Sequence, residues 1–306
     1  MTLGLSALQN APRLLIEAQL EPVQGTRFQP TGFPEIGAAQ YEGPDGTPML
    51  LLESAQSVAN RLEGPCWDNA SDDWVPFLQG LSLIKVVDET GAQVTNSVLE
   101  AHRINSEYIA RSAEFDTVKS AIGYRKDRPF SVVRQLAPVL LKYDINSLIH
   151  GVFLEEVAGV IRLPRALSGF IEARDVKVAA SGGVKRGIEP SKKGGEGNVV
   201  YHKDEFVSLE ITAYFNLDLA QLRGYGFTQP VFDLLVALSL FKIQAFLTHG
   251  LRLRTACDLD YKDVTVKRPD GFVLPSLSEL EAALPGMIEA ARPNAGFEVL
   301  TVTYKK

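Results

Sequence analysis

Cysteine and histidine are scarce in this chain of 306 residues. The two cysteines, Cys66 and Cys257, lie far apart, which excludes a disulfide-rich scaffold and a zinc site built on paired cysteines. The four histidines form no HExxH or HxH motif and no pairing with cysteine, so we expect no metal site. This cysteine usage predicts a cytoplasmic protein.

Long hydrophobic runs and targeting signals are also missing. No run approaches the roughly 18 apolar residues of a membrane span. The start, MTLGLSALQNAPRLL, lacks a basic region followed by a long apolar stretch, so we expect no signal peptide. The sequence therefore predicts no membrane partner.

Common catalytic signatures are absent as well. The chain has no Gly-x-Ser-x-Gly elbow and no Walker loop, which removes the usual signatures of acyl transfer and nucleotide hydrolysis. The runs Ser181-Gly182-Gly183 and Gly194-Gly195-Glu196-Gly197 lack the spacing of a dinucleotide fingerprint. We therefore expect no cofactor.

Basic residues are few in the first hundred positions, which hold four of them against 13 acidic residues. The whole chain has a formal net charge of −6, and an acidic balance argues against binding nucleic acid. The sign reverses in residues 101–142, with eight basic and four acidic residues, and in residues 174–203, with seven and three. Such segments are most often solvated loops, but they indicate a polarised surface.

The spacing of apolar residues predicts mixed secondary structure in the first part of the chain. Residues 13–23 alternate with period two and predict a strand with one buried face. Residues 24–48 are rich in glycine and proline and predict a long loop. In residues 49–63 the apolar positions recur at helical spacing before Gly64-Pro65, which predicts an amphipathic helix.

Both kinds of element recur downstream. We predict a strand at 81–89, a helix at 100–112, two or three short strands within 146–178, a strictly alternating strand at 205–219, a buried helix at 230–250, a second helix at 277–291 and a closing strand at 297–304. Strands and helices do not alternate as regular βαβ units, so the sequence favours an α+β fold.

Several motifs in a fixed order carry a resemblance to a known family. They are RLLIEAQLEPVQGTRFQPTGFPEIGAAQY (13–41) with MLLLESAQSVANRLE (49–63) and Cys66-Trp67, then DINSLIHGVFL (144–154), RLPRALSGFIEARDV (162–176) and SGGVK (181–185). With these motifs the chain resembles the backbone RAMP-superfamily subunit of type I CRISPR-Cas surveillance (Cascade) complexes, of the subtype called I-U and later I-G.

The resemblance implies a fold and a domain organisation. The expected core is a modified RRM-like (ferredoxin-like) antiparallel sheet backed by helices, in a single domain of residues 1–306. Thumb and finger insertions elaborate such a core. Here they would be the long loop 24–48, a segment at roughly 90–142 and a flexible basic excursion at 181–203.

The resemblance also implies a function. Copies of such a subunit stack head to tail as a helical filament along the spacer of one CRISPR guide RNA, within an antiviral ribonucleoprotein that holds other Cascade subunits. They hold the RNA backbone and present the bases for pairing with the target DNA strand, so sequence recognition is left to base pairing. No catalysis is expected of this subunit.

A subunit that accepts any guide needs donors for phosphates and 2′-hydroxyl groups rather than readers of base edges. In the family, the helix after the first strand approaches the guide backbone. Each polar side chain singly is also compatible with a solvated or capping role. As a set we predict RNA contacts from Gln24, Arg27, Gln29, Ser54, Gln56, Asn60, Arg61, His150, Lys185 and Arg186.

Two other functions stay open. A RAMP endoribonuclease that processes CRISPR RNA or cuts target RNA would need a group that titrates near neutrality, and His150 and His202 are candidates. A structural or RNA-facing histidine is the simpler explanation, because no second catalytic residue is evident nearby in sequence. A pure protein-interaction module would give RNA no protection.

Overall fold

The computed structural model describes residues 3–33, 37–155, 157, 161–185, 200–249 and 251–305. Its strands in these residues are β1 (Arg13–Pro22), β2 (Arg27–Phe28), β3 (Gly32–Phe33), β4 (Gly37–Ala38), β5 (Gln40–Glu42), β6 (Pro48–Glu53), β7 (Trp67–Asp68), β8 (Asp73–Trp74), β9 (Leu83–Val87), β10 (Gln93–Asn96), β11 (Val152–Leu154), β12 (Ile161–Leu163), β13 (Leu167–Arg174), β14 (Lys177–Lys185), β15 (Val200–Val207), β16 (Glu210–Asp218), β17 (Leu251–Arg254), β18 (Cys257–Arg268) and β19 (Val299–Thr303).

The helices in the same residues are α1 (Ala55–Glu63), α2 (Glu107–Ala110), α3 (Phe115–Ile122), α4 (Ala137–Tyr143), α5 (Ile145–His150), α6 (Leu219–Gly224), α7 (Gln229–Thr248) and α8 (Leu277–Ala295). Short 3-10 turns lie at Leu5–Leu8, Gly64–Cys66, Pro76–Leu78 and Arg103–Asn105, and a π-helical turn at Val132–Leu136 precedes α4.

Strand β1 forms where the alternation predicts it. Leu14, Ile16, Ala18 and Leu20 are buried, while the residues between them, Leu15 included, are only partly covered. It lies inside a seven-stranded sheet of order β17-β18-β1-β16-β13-β6-β5, in which every neighbouring pair is antiparallel. The period-two pattern therefore arises because one face of this sheet packs on the core and the other does not.

Four strands and two helices form the centre of this architecture. In chain order they are β1, α1, β13, β16, α7 and β18. Across the sheet the four strands lie side by side as β18, β1, β16 and β13, which are the fourth, first, third and second of them in the chain. Helix α1 contacts β13 and α7, and α7 contacts β18, which places both helices against the sheet. The predicted mixed α+β class is confirmed.

Helix α7 is buried on nearly every side, as its sequence predicts, and even Lys242 is fully buried. By length and composition it would pass as a membrane span, but 83% of that stretch is buried inside the protein. Helix α8 packs along α7. The apolar character of α7 is therefore explained by its position as a helix in the core.

A second, three-stranded sheet has the order β10-β9-β19. Strand β19 is parallel to β9, with Val299 opposite Leu83 and Val302 opposite Val86. This sheet joins the last described strand to a strand from the first third of the chain.

The predicted helix at 49–63 is wrong in its first half. Residues Pro48–Glu53 are strand β6, which pairs with β13 and β5, and only Ala55–Glu63 are helical. Ser54 separates the two elements because its Oγ accepts the amide N–H of Ser57 at 3.3 Å and caps the helix. Sheet pairing decides the conformation of an apolar run that is also compatible with a helix.

Three further predictions need correction. The helix predicted at 100–112 is a 3-10 turn followed by the four-residue α2. The strand predicted at 205–219 is interrupted at Ser208, and Leu209, placed on the buried face, is 94% exposed. The loop 24–48 contains β2, β3, β4 and β5, whose two- and three-residue pairings are too short to produce periodicity.

The basic excursion begins and ends as paired strands. Lys185 at the end of β14 lies opposite Val200 at the start of β15. Residues 186–199, which include Arg186, lie outside the described residues, as does the side chain of Lys185. The described part of this segment is therefore a pair of antiparallel strands.

The face of the large sheet away from the helices carries carboxylates. Glu17 and Glu21 alternate with the buried positions of β1 and so lie on this face. Lys267 Nζ is 3.5 Å from a carboxylate oxygen of Glu17, and Lys262 Nζ is 2.5 Å from one of Glu21. Because these lysines are already ion-paired, the outer face offers RNA phosphates little attraction.

Helix α8 begins with a capping box. Ser276 Oγ accepts the amide N–H of Glu279 at 3.3 Å, and the Glu279 carboxylate accepts the amide N–H of Ser276 at 2.9 Å. We expect Ser276→Ala to lower the free energy of unfolding by about 1 kcal/mol, because it removes the acceptor for one helix-end donor. Chemical denaturation measures this loss. Ser276→Asp keeps an acceptor and should retain most of the stability, so equal losses in both variants would contradict the capping role.

Candidate nucleic-acid interface

A cleft of about 670 Å³ lies beside the N-terminal end of α1. Its other walls are the segment 101–111, the turn between α5 and β11, and the end of β12. The charged side chains along it are Arg103, Arg111, Arg162 and Arg165 with Glu107 and Glu155. We call it the arginine cleft. The excess of guanidinium groups suits it to phosphate oxygens.

The turn at Gly151 shapes one wall of the arginine cleft. Gly151 has a φ of +75°, and a Cβ at this position would lie 2.6 Å from the carbonyl oxygen of Leu163. The absence of a side chain lets α5 turn sharply into β11, which pairs with β12 so that Phe153 faces Arg162. The Arg162 guanidinium lies over the Phe153 ring, 4.8 Å from its centroid, which holds the guanidinium at the wall.

Arg165 joins the cleft to helix α1. Its Nη2 donates a hydrogen bond to the side-chain oxygen of Gln56, whose amide nitrogen donates to Asn60 at 3.2 Å. The Arg165 Nε is buried and has no hydrogen-bond partner in the part of the chain that the structure describes. Gln56 and Asn60, both predicted to contact RNA, therefore form a row with Arg165.

His150 ends helix α5 at the wall of the cleft. Its side chain is 1% exposed, and neither ring nitrogen has a partner among the described residues. Burial lowers the pKa of His150 well below its usual value, and the positive charges of Lys242, Arg103 and Arg165 lower it further. The imidazole is therefore neutral at pH 7.

A buried ion pair lies beneath the cleft. Arg103 Nε and Nη2 donate to the two carboxylate oxygens of Glu63 at 2.8 and 2.5 Å, and both side chains are at most 4% exposed. Burial raises the pKa of Glu63, and the Arg103 guanidinium opposes that rise. Asp144, also buried, accepts hydrogen bonds from the Ile104 amide and the Ser147 hydroxyl. These contacts fix the segment 103–106 at the base of the cleft.

The structure places Gln29 and Arg61 in a different cluster. Arg61 Nη2 donates to the carbonyl oxygen of Leu253 at 2.6 Å and lies 3.5 Å from Glu53 Oε1. Arg254 donates to the same Glu53 oxygen and, at 2.9 Å, to the carbonyl of Gln29. The Arg61 side chain therefore ties α1 to β17, and the backbone carbonyl of Gln29 ties the β2–β3 segment to the same strand.

Gln24 and Arg27 line a third region, a groove of about 450 Å³ that also holds Glu205 and Asp258. Arg27 is 57% exposed and its Nη1 is 3.3 Å from a carboxylate oxygen of Glu205. Ser54 is engaged as the cap of α1. Eight of the ten predicted residues have side chains that the structure describes, and these eight do not converge on one surface. Among them, Gln56, Asn60 and His150 lie at or beside the arginine cleft.

The sequence prediction missed Arg103, Arg162 and Arg165. The last two stand in RLPRALSGF, a motif that carries the family resemblance but from which no site residue was predicted. In the described part of the chain, no group of three His, Cys, Asp or Glu side chains has the arrangement of a metal site.

A family profile described as CRISPR-associated protein GSU0053 matches residues 14–178, which is more than half of the chain and contains most of the cleft. The chain belongs to this family. The resemblance to a CRISPR-associated family is thereby confirmed, and the subtype stays a prediction. The match includes Arg162, Arg165 and His150 of this CRISPR-associated protein.

Solved structures with a similar chain path include two described as a CRISPR RNA-guided surveillance complex and one of Csc2 from Thermofilum pendens. A pre-nicking complex gives a TM-score of 0.40 at 13% identity, covering 92% of this chain and 89% of that one. Csc2 gives 0.33 at 12%, covering 97% and 82%. The other complex gives 0.33 at 13%, covering 92% and 88%. With such low scores these likenesses carry no argument. A search of curated proteins returned no match.

Proposed function

We propose that this CRISPR-associated protein is a non-catalytic subunit that binds guide RNA in a type I surveillance (Cascade) complex of the cytoplasm. Copies stack head to tail along the spacer, contact other Cascade subunits and present the guide bases to the target DNA strand. The observation that carries the proposal is the arginine cleft beside the polar end of α1, in a chain whose family is CRISPR-associated.

The strand order supports an RRM-like core. The central strands follow the order fourth, first, third, second; α1 lies between the first two in the chain, α7 lies between the last two, and both pack against the sheet. A split βαβ arrangement of this kind is the ferredoxin-like topology. The segments outside this pattern, including 90–142 and the β14–β15 pair, are then the insertions.

The chemistry of the cleft supports recognition of an RNA backbone. Guanidinium groups bind phosphate oxygens whatever the base, and the amides of Gln56 and Asn60 can donate to and accept from 2′-hydroxyl groups. The cleft presents these groups on packed elements, with Arg162 held over Phe153 and Arg165 held by Gln56. Such a surface does not depend on base identity, which a guide-binding subunit requires.

RNA captured by the purified protein tests the class of function. We expect protein isolated from cells that express a CRISPR array to retain RNA of uniform length with spacer sequences. A pure interaction module would retain none. An endoribonuclease would cut labelled repeat RNA at one position, and cleavage lost on His150→Ala or His202→Ala would overturn the proposal.

Arg27→Ala is expected to weaken RNA binding by about three- to tenfold, equally for all guide sequences, because the planar guanidinium is 57% exposed and can bind a phosphate with the donors that its 3.3 Å contact with Glu205 leaves open. Electrophoretic mobility shifts with several guides measure the effect. Arg61→Ala serves as the comparison, since loss of its bond to Leu253 should also lower the melting temperature. An Arg27 effect confined to one guide would contradict backbone recognition.

A further inference from the structure

We propose that the inner end of the arginine cleft is a phosphate-binding subsite, in which the His150 imidazole and the Arg165 Nε donate hydrogen bonds to one phosphate group of the bound strand. The inference rests on the proposed function for the source of that phosphate. It goes further by assigning a discrete site with its own donors inside the cleft.

Two buried donors without partners carry the proposal. His150 is 1% exposed and lines the cleft, yet neither of its nitrogens has a partner within the described residues. Arg165 lines the same cleft, and its Nε is also buried and unpartnered within the described residues. A buried hydrogen-bond donor without an acceptor lowers the stability of the fold. We therefore infer that a bound ligand supplies the acceptor that the wall of the cleft lacks.

The donors decide the class of ligand. A guanidinium Nε is only a donor, and an imidazole always keeps at least one donor, so the missing group must offer several acceptors. Arg162 at the same wall adds positive charge without a carboxylate partner among the described residues. An anion with tetrahedral oxygens satisfies these requirements, whereas a cation or a neutral donor does not.

Protonation of His150 should follow ligand binding. The groups that face it are Lys242 of α7, Arg103 of the 103–105 turn and Arg165, and all three favour its neutral form. The nearby carboxylates are already engaged, Glu63 by Arg103 and Asp144 by Ser147. A phosphate would favour the charged form, so the pKa of His150 is higher in the complex. Binding therefore takes up a proton, and affinity falls as pH rises through the higher pKa.

Isothermal titration with single-stranded RNA of mixed sequence tests the subsite. Titrations at about pH 6.5 in two buffers of different ionisation enthalpy count the protons taken up. We expect uptake in the wild type, and in His150→Gln we expect no uptake with affinity about tenfold lower. His249→Gln is the matched control, because this histidine is exposed at the end of α7 and does not line the arginine cleft; it should keep both affinity and uptake.

The outcomes separate this inference from the proposed function. RNA binding with the same affinity in His150→Gln as in the wild type overturns the subsite and leaves the function standing. Binding without proton uptake overturns the protonation of His150 alone, because a neutral imidazole still donates one hydrogen bond. If no RNA binds, the proposed function fails, and titration of 15N-histidine protein with inorganic phosphate decides the subsite by whether the His150 ring signals move. If His150→Gln does not fold, Arg165→Lys keeps the charge without the Nε donor. It should weaken RNA binding severalfold, and full affinity would overturn the subsite.

Discussion

Replacing Arg162 and Arg165 together by alanine is expected to weaken RNA binding by about a hundredfold. Each arginine that contacts a phosphate contributes about tenfold, or ~1.4 kcal/mol, when its charge-assisted hydrogen bonds are lost. The dependence of affinity on salt should weaken as well, by about 0.7 in the log–log slope for each lost contact with a single strand. Fluorescence anisotropy with labelled RNA at several salt concentrations measures both quantities.

A second charge-matched variant controls for net charge. Lys262→Ala with Lys267→Ala removes the same two positive charges from the outer face of the sheet, where both lysines pair with glutamates. We expect this variant to bind RNA within about twofold of the wild type, because ion-paired surface lysines contribute little. Equal losses in both double variants would show that overall charge, and not the arginine cleft, attracts the RNA.

Arg103→Met is expected to lower the free energy of unfolding by about 3–5 kcal/mol, the largest stability effect we anticipate. The substitution keeps much of the side-chain volume but leaves the Glu63 carboxylate buried without its two guanidinium hydrogen bonds. The pKa of Glu63 should then rise further above its usual value, because burial would no longer be opposed by Arg103. Urea denaturation measures the loss.

Arg111→Met is the matched control for this prediction. Arg111 pairs with Glu107 at the surface, where both side chains are about 70% exposed, so its loss should cost less than about 0.5 kcal/mol. Adding Glu63→Leu to Arg103→Met removes the unpaired carboxylate and should restore most of the stability. A loss in Arg103→Met no larger than in Arg111→Met would contradict the role of the buried pair.

Strongly periodic segments allowed the fold to be anticipated from the sequence. The alternating residues of β1 are compatible only with a strand, and the apolar run of α7 is long enough to favour a helix. Both elements form where the sequence predicts them. The apolar first part of the segment 49–63 is compatible with either a helix or a strand. Its residues up to Glu53 form β6 because β5 and β13 offer hydrogen-bonding edges, which no local pattern contains.

The candidate site was less accessible to sequence reasoning. Gln56 and Asn60 were identified from the polar face of a helix, but Arg165 comes from a loop after β12, and only the folded chain brings it to α1. Arg61 shows the reverse case. It is polar and lies on the predicted helix, yet its side chain donates a hydrogen bond to the carbonyl of Leu253 and so joins α1 to β17. The partner of a long cationic side chain depends on elements distant in sequence.

The parallel pairing of β19 with β9 has a consequence for how the chain is made. During synthesis, β9, which ends at Val87, leaves the ribosome long before β19, which begins at Val299 and completes its sheet. Until then, one edge of β9 keeps free backbone donors and acceptors next to residues such as Ile84 and Val86, which are buried in the finished protein. A nascent chain that stalls before β19 therefore exposes an unpaired strand edge that can pair with other chains. Rapid synthesis or binding by a chaperone would protect it from aggregation.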